Sequence, residues 1–479
     1  MTILSEHGVF WWHTEAIPDR WFAPEASVTG HLEISDQGRI SLELDGDLPS
    51  KTGILRRWVA GENAVQEQTC IQGILKSNSK HVLLMGVFSN GGHMSTSGPS
   101  YETYIANSCL HGPSRIPTSD KLPQFSRLRI PLTGFEEWLH FGAIKYDRTE
   151  TEISAHYSDP ADIQYTLDDG LLTLSYDIRG PYRGTRWLHK LDLKESAFLT
   201  YKPHASLDLD AVYRHLMETQ DFLILLSESD YQLDWPLLSI DPDEPFYTLY
   251  FGRRETAVQP PRSHECWMHF PELKEIFGEL FSTWRNKRHA FGPAFYLYLG
   301  TRRGASLYVE HRFVNLIWGL EAFHRQRFLV DEDSGLARKV DRILAAATNN
   351  NDKRWLRYKL KNAGEPSLES RLFDNFKLLP LPWNWLNLKK FTKECADIRN
   401  DISHYGGPRS GGDYGIFMRE LDKRSDALSC VYHMLLLKEI GINEDVLKNR
   451  MLDGRRSYLI KAQLKHFGLL DESPNGEVT

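Results

Sequence analysis

The sequence predicts an α+β multidomain protein, in which a β-rich N-terminal region precedes an all-α helical bundle. Short apolar–polar alternations separated by turn residues dominate the first 210 of the 479 residues. From Ser306 onward, apolar residues recur at helical spacing. The charge divides in the same way: residues 301–479 hold 30 basic and 24 acidic residues (+6), and the 27 basic and 40 acidic residues before them give −13.

The N-terminal strands are predicted from alternation around turns. HLEISDQGRISLELDGDLP, residues 31–49, alternates on both sides of Asp36-Gln37-Gly38, which is typical of a hairpin. KHVLLMGVFSNGG, residues 80–92, and GLLTLSYDIRGPYRG, residues 170–184, each combine a strand with a turn, and FEEWLH, residues 135–140, indicates a short helix. We therefore predict a β-rich domain over residues 1–300, with a further split near 165–210.

The segment after residue 208 mixes both patterns. LDAVYRHLMETQ, residues 209–220, predicts a helix, and FLILLSES, residues 222–229, and PFYTLYFGRR, residues 245–254, predict strands. Asp208 and Asp210 suit capping of the helix better than binding of a divalent ion.

The C-terminal domain, residues 301–479, is predicted as a helical bundle. Two stripes of apolar residues at three- and four-residue steps predict two helices, and further helices are expected at about 414–440 and 444–466. The first stripe consists of Val309, Phe313, Leu316, Leu320 and Phe323. The second consists of Leu388, Phe391, Cys395, Ile398, Ile402 and Tyr405.

Composition and motifs exclude several function classes. The net charge of −7 argues against a uniformly basic nucleic-acid coat, and no membrane-length apolar run or secretory signal is visible. The five cysteines are scattered, which predicts a reducing cytoplasm and no thiolate zinc site. HECWMH, residues 264–269, does not suit zinc, because histidines five residues apart point about 140° away from each other on a helix. We expect no metal and no cofactor.

One polar constellation stands out on the second predicted helix. Arg399 and His404 form an Arg-x4-His pair, and Asn400 follows the arginine. The pair alone is weak evidence, because 34 arginines and 19 histidines among 479 residues give about one such pair by chance. On a helical wheel, however, Asn400 and His404 lie opposite the apolar stripe and Arg399 lies on its flank, while Gly406 and Gly407 provide a helix stop. A solvated arginine and a capping histidine are the alternative explanation.

These residue types suit RNA cleavage without a metal. The charge of histidine changes near neutral pH, as general acid–base catalysis requires. A neutral histidine would take the proton of a ribose 2′-hydroxyl that attacks the adjacent phosphorus, a second histidine would protonate the leaving 5′-oxygen, and an arginine would stabilise the phosphate. Because one chain supplies one such histidine, this chemistry favours a homodimer with a two-fold axis.

The helical region resembles HEPN domains, whose ribonucleases carry an Arg-x4-6-His motif with a polar residue after the arginine, here Arg399, Asn400 and His404. HRFVNLIWGLEAFHRQRF, residues 311–328, is similar to a helix of the ApeA-like HEPN subgroup, including Glu321. The N-terminal region is similar to the β-rich domain of ApeA-type anti-phage proteins. This similarity rests on Trp11-Trp12, the hairpin at residues 30–49 and FSRLRIPLTGFEEWL at residues 125–139.

The resemblance implies a metal-independent endoribonuclease of abortive-infection type, with an N-terminal sensor for a phage-encoded trigger. It implies a homodimer, or a higher oligomer, formed through the HEPN domain. His404 would be the acid–base residue, Arg399 the phosphate binder and Asn400 an orienting residue. The substrate would be RNA, with tRNA as one candidate, cut to a 2′,3′-cyclic phosphate and a 5′-hydroxyl. Glu321, Asp401 and Tyr405 are candidates for supporting roles, although a helix-packing or salt-bridge role is the simpler explanation for Glu321.

Two other hypotheses stay open: an inactive HEPN-like RNA-binding or scaffold protein, and a toxin silenced by a separate partner protein.

Basic segments with aromatic residues, at 179–186 and 353–361, suit phosphate contact and base stacking, although a solvated turn and an amphipathic helix are the simpler explanations. The RNA-binding candidates in the second segment are Lys353, Arg354, Arg357 and Lys359.

Overall fold

The structure, a computed structural model, describes twelve stretches of the chain. These are residues 1–48, 70–93, 98–119, 121–140, 142–180, 192–253, 261–303, 307–328, 334–361, 365–409, 413–454 and 457–471. The chain forms two compact units, one from Met1–Gln220 with Tyr231–Ser263 and the other from Asp221–Asp230 with His264–Thr479. The domain boundary predicted at residue 300 stays a prediction, because these two units describe how the chain packs and not where its functional domains begin and end.

The first unit is rich in strands. They are β1 (Thr2–Trp12), β2 (Val28–Ser35), β3 (Ile40–Leu44), β4 (Cys70–Leu75), β5 (His81–His93), β6 (Tyr101–Gly112), β7 (Arg127–Pro131), β8 (Ile144–Arg148), β9 (Ile153–Tyr157), β10 (Ile163–Leu167), β11 (Gly170–Arg179), β12 (Lys194–Pro203), β13 (Leu237–Ser239) and β14 (Tyr247–Phe251). The short helix predicted at 135–140 is present as α1 (Phe135–Leu139).

Twelve of the strands in the described residues form one antiparallel sheet, and part of it closes on itself. The closed part runs β6-β3-β2-β1-β4-β5, and β5 pairs back to β6. One edge of β6 pairs with two strands: residues 102–106 pair with β3, and residues 108–111 pair with β14. From β14 the sheet continues through β13, β7, β12 and β11 to β10.

The predicted hairpin at residues 31–49 is confirmed as β2 and β3. Its turn contains Gly38 with φ 75°, a left-handed conformation that glycine adopts without a Cβ clash. Alternate residues of both strands enter the core, as the alternation predicted. Those with 0–1% exposure are Leu32, Ile34, Ile40, Leu42 and Leu44.

The strand predicted at residues 222–229 is wrong, because helix α2 (Leu209–Ser227) continues through it. Residues 222–226 are all fully buried. A helix that is buried on every side has no polar face, so its sequence lacks the helical period and resembles a buried strand. The start of α2 follows the prediction, since the Asp208 carboxylate accepts a hydrogen bond from the Ala211 N–H (2.7 Å).

The second unit is helical. Its further helices are α3 (Phe270–Leu273), α4 (Phe277–Phe291), α5 (Pro293–Gly300), α6 (Val309–Arg327), α7 (Ser334–Ala346), α8 (Asn350–Leu360), α9 (Leu368–Lys377), α10 (Trp385–Tyr405), α11 (Tyr414–Glu439), α12 (Glu444–Leu452) and α13 (Ser457–His466). The segment predicted as one helix at 444–466 is therefore two helices. The fold class, a strand-rich N-terminal region followed by a helical C-terminal region, is confirmed.

Helix α6 is central to this unit, because it packs against α5, α9, α10 and α11. Phe313, Leu316, Leu320 and Phe323 of the predicted stripe are buried. Gly319 allows α11 to approach closely, since a side chain at this position would overlap the ring of Tyr432. No helix within the described residues is long and apolar enough to cross a membrane.

Candidate active site

Arg399 and His404 lie on one continuous helix, α10. The helix begins after Asn384, whose side chain accepts a hydrogen bond from the Asn387 N–H (3.1 Å), and it ends at Gly406, which has φ 72°. Arg399 and His404 are five positions apart on a continuous helix, which places their Cα atoms about 7.5 Å apart along the axis and about 140° apart around it. The backbone of α10 therefore does not by itself aim the two side chains in one direction.

The apolar stripe of α10 loses its cover toward the C-terminus. Leu388, Phe391 and Cys395 are at most 2% exposed. Ile398 and Ile402 are only partly buried, and Tyr405 is 61% exposed. The last two turns of α10, which carry the candidate residues, are therefore at the edge of the bundle rather than within it.

Arg399 is held by contacts with two of the predicted residues. Its Nη2 lies 3.6 Å from Glu321 Oε2 on α6, and its Nη1 donates to Asn400 Oδ1 (3.1 Å). The side chains of Arg399 and Glu321 are mostly buried. The structure thus brings together Arg399, Asn400 and Glu321, with the guanidinium fixed from two sides.

The contacts around Glu321 extend to residues that the sequence analysis missed. Arg325 donates to Glu321 Oε1 (3.1 Å) and also pairs with Glu365 (2.6 Å), which in turn pairs with the buried Arg371 (2.6 Å). Burial would lower the pKa of Arg325, but hydrogen bonds to Glu321 and Glu365 outweigh it and raise the pKa. Glu321 and Arg325 are four residues apart, which is a spacing that predicts a helical ion pair.

His404 is exposed at the end of α10, next to a second group of charges. Arg409 Nη2 lies 3.4 Å from Asp401 Oδ1, and the Arg409 guanidinium lies 4.6 Å from the centre of the Tyr405 ring. The rings of His404 and Tyr405 are 6.5 Å apart and nearly perpendicular. Asp401 and Tyr405 thus position Arg409, an exposed cation that no motif singled out.

The remaining candidates lie elsewhere. Lys353, Arg354, Arg357 and Lys359 are on α8, which has no buried residue. In the basic segment 179–186, residues 181–186 lie outside the described residues. The HECWMH segment lies at the start of α3, where the backbone N–H of His269 donates to the Glu272 carboxylate (3.3 Å). The described residues contain no group of three or more His, Cys, Asp or Glu side chains that could hold a metal ion.

Two family models match the chain. A model of the Apea-like HEPN domain matches residues 314–446, which include the end of α10 and Glu321. The helical region is therefore a HEPN domain, a class generally associated with ribonucleases. A model of ApeA N-terminal domain 1 matches residues 6–284, more than half of the chain. The chain thus belongs to the ApeA family, as the resemblance predicted. Searches of curated proteins and of solved structures give no match.

Proposed function

We propose that the chain is a metal-independent endoribonuclease of anti-phage defence, whose active centre contains the ends of two α10 helices. The observation that carries this proposal is an exposed histidine, His404, at the end of the helix that also carries Arg399, whose guanidinium contacts Glu321. HEPN domains typically dimerise and bind RNA, so both the substrate and the second copy fit the family.

A second copy of the chain supplies what one copy lacks. Arg399 and His404 leave α10 about 140° apart, and one chain offers a single His404, so we infer that a second chain supplies the second histidine of the centre. The surface near His404 also favours self-association, because Tyr405, Tyr414 and Ile416 are 61%, 51% and 54% exposed. Exposed apolar side chains grouped in this way mark interaction sites. A homodimer through the HEPN domain would cover them.

The proposed reaction is a transesterification. His404 of one chain takes the proton of the ribose 2′-hydroxyl, and the 2′-oxygen then attacks the adjacent phosphorus. The partner's His404 protonates the 5′-oxygen as the bond between phosphorus and that oxygen breaks. The products are a 2′,3′-cyclic phosphate and a 5′-hydroxyl, and no water or metal takes part in this step.

Arg399 acts on the phosphate rather than on the protons. Its guanidinium can donate to the non-bridging oxygens, where negative charge develops as the 2′-oxygen attacks. Glu321 and Asn400 are positioning residues, because each contacts Arg399 and so limits its rotamers. Asp401 and Tyr405 support the centre through Arg409, which they hold beside the end of α10.

The N-terminal region would sense the phage-encoded trigger. A ribonuclease that acts on host RNA must stay silent in a healthy cell, so control within the same chain is physically sensible. The charge of −13 before residue 301 suits this role, since an acidic region does not compete for RNA. The competing form of control is a toxin that a separate protein silences. Expression of the chain alone distinguishes control within the chain from control by a separate protein, because toxicity without infection indicates a missing partner.

The test is phage protection by wild type, His404→Ala and Arg399→Ala, with Lys389→Ala as the matched control. Lys389 is exposed on α10, four helical turns before His404. We expect both site variants to lose protection and the control to keep it, at equal protein levels. Protection by His404→Ala equal to wild type would show that the chain acts as a scaffold and not as this nuclease.

A further inference from the structure

The positive charge of the helical region is concentrated in one helical hairpin. Residues 338–361, in α7 and α8, hold eight basic and two acidic residues, a net charge of +6. Residues 301–479 as a whole also sum to +6, so the rest of this region is balanced, with 22 residues of each sign. The basic surplus of the chain's second part is therefore local, and we call residues 338–361 the basic hairpin.

The exposed face of α8 combines aromatic rings with cations. Trp355 and Tyr358 are 59% and 77% exposed and lie one helical turn apart. Leu356 and Leu360 lie on the opposite, partly buried face of the same helix. The exposed cations of α8 and the residue after it are Arg354, Arg357, Lys359 and Lys361.

This distribution favours nucleic acid over a lipid surface. A helix that binds a membrane turns its aliphatic face outward, and here the leucines face inward while rings and cations share the outer face. Single-stranded nucleic acids are bound by this combination, in which cations contact the backbone and rings stack on the bases. The charge of +6 is complementary to a phosphate backbone.

The basic hairpin lies next to the candidate active site in the chain. It begins soon after α6, which carries Glu321 and Arg325. Its last cation, Lys361, is four positions before Glu365, so their Cα atoms are at most about 14 Å apart. Glu365 pairs with Arg325, and Arg325 bonds to the Glu321 carboxylate that contacts Arg399. The chain thus links the basic hairpin to the network of side chains that contacts Arg399.

We propose that the basic hairpin is a binding site for unpaired RNA, in which bases stack on Trp355 and Tyr358 and the cations contact phosphates. This inference rests on the proposed ribonuclease function and narrows its substrate class to RNA with an unpaired stretch. Duplex RNA offers the phosphates but not the base faces, because its bases are already stacked on one another. The basic hairpin would therefore select among RNAs before cleavage takes place.

The test measures RNA binding separately from cleavage. The full chain with His404→Ala is titrated into fluorescein-labelled oligoadenylate and into the same oligomer annealed to oligouridylate, with anisotropy as the readout. We expect the unpaired RNA to bind more tightly. Adding Trp355→Ala and Tyr358→Ala to the His404→Ala chain should weaken the binding of unpaired RNA at least about five-fold. This is the change that about 1 kcal/mol of stacking per base predicts. Arg354→Glu with Arg357→Glu should also reduce the salt dependence, by about 0.7 in the logarithmic slope per lost contact.

A matched aromatic pair serves as the control. Trp385→Ala and Tyr458→Ala remove a tryptophan and a tyrosine that are 52% and 67% exposed on other helices of the same unit. Equal affinity of the basic-hairpin and control variants would overturn the proposal, as would equal affinity for paired and unpaired RNA. The nuclease proposal is tested by a separate measurement: it fails if the His404→Ala chain still cleaves RNA.

Discussion

A shared active centre makes a sharp prediction for a dimer with one wild-type chain and one His404→Ala chain. The proposed reaction uses one His404 as the base and the partner's His404 as the acid, so the shared centre is expected to need a histidine from both chains. The mixed dimer then keeps only the acid or only the base. General acid–base catalysis by one residue contributes about 10²–10⁴-fold to the rate, so the mixed dimer should lose at least about 100-fold.

The assay isolates the mixed dimer through two different affinity tags and follows cleavage of a fluorescent RNA. The same purification provides wild-type dimers, and wild type paired with Lys389→Ala serves as the control that should keep full activity. A mixed dimer that retains about half of the wild-type rate would rule out a shared centre, because two independent centres give that value.

Three further predictions concern packing, the site network and pH. Gly319→Ala should lower the free energy of unfolding by about 1–3 kcal/mol because its methyl group overlaps Tyr432, whereas Gly300→Ala, which meets nothing within 4 Å, should not; thermal unfolding of both variants checks this. Glu321→Gln should cost about 1 kcal/mol of stability and slow RNA cleavage, because Arg399 loses its carboxylate partner; a variant with wild-type stability and rate would contradict it. Burial lowers the pKa of His111 from 6.5 to about 4, so the unfolded chain takes up the proton first as the pH falls. Stability should therefore decrease between pH 6.5 and about 4, and denaturant titrations should show a smaller decrease for His111→Leu.

Amphipathic elements were predictable because one face of each is buried and the other is solvated. The β2–β3 hairpin and the stripe of α10 follow their sequence periods for this reason. The run at 222–229 was not predictable, since a helix buried on all sides carries no period. The exposure of Tyr405 was not predictable either. Tyr405 follows the apolar spacing of the α10 stripe, but it lies beyond the part of α10 that neighbouring helices cover.

The candidate site was predictable only in part. The Arg-x4-His pair and Glu321 carry family signals, and Arg325 follows Glu321 at ion-pair spacing. Glu365 and Arg409 carry no such signal. Glu365 joins the network only because the chain folds back from α8 onto Arg325, and Arg409 only because the turn after Gly406 returns it to Asp401. Such contacts depend on the fold and not on local sequence.

The chemistry of the RNA ends tests the central claim most directly. Purified wild-type protein and His404→Ala are incubated with total cellular RNA in the presence of a metal chelator, and the ends of the fragments are mapped. We expect 2′,3′-cyclic phosphates and 5′-hydroxyls with wild type and no new ends with His404→Ala. Fragments with 5′-phosphates, or the same fragments from His404→Ala, would contradict it.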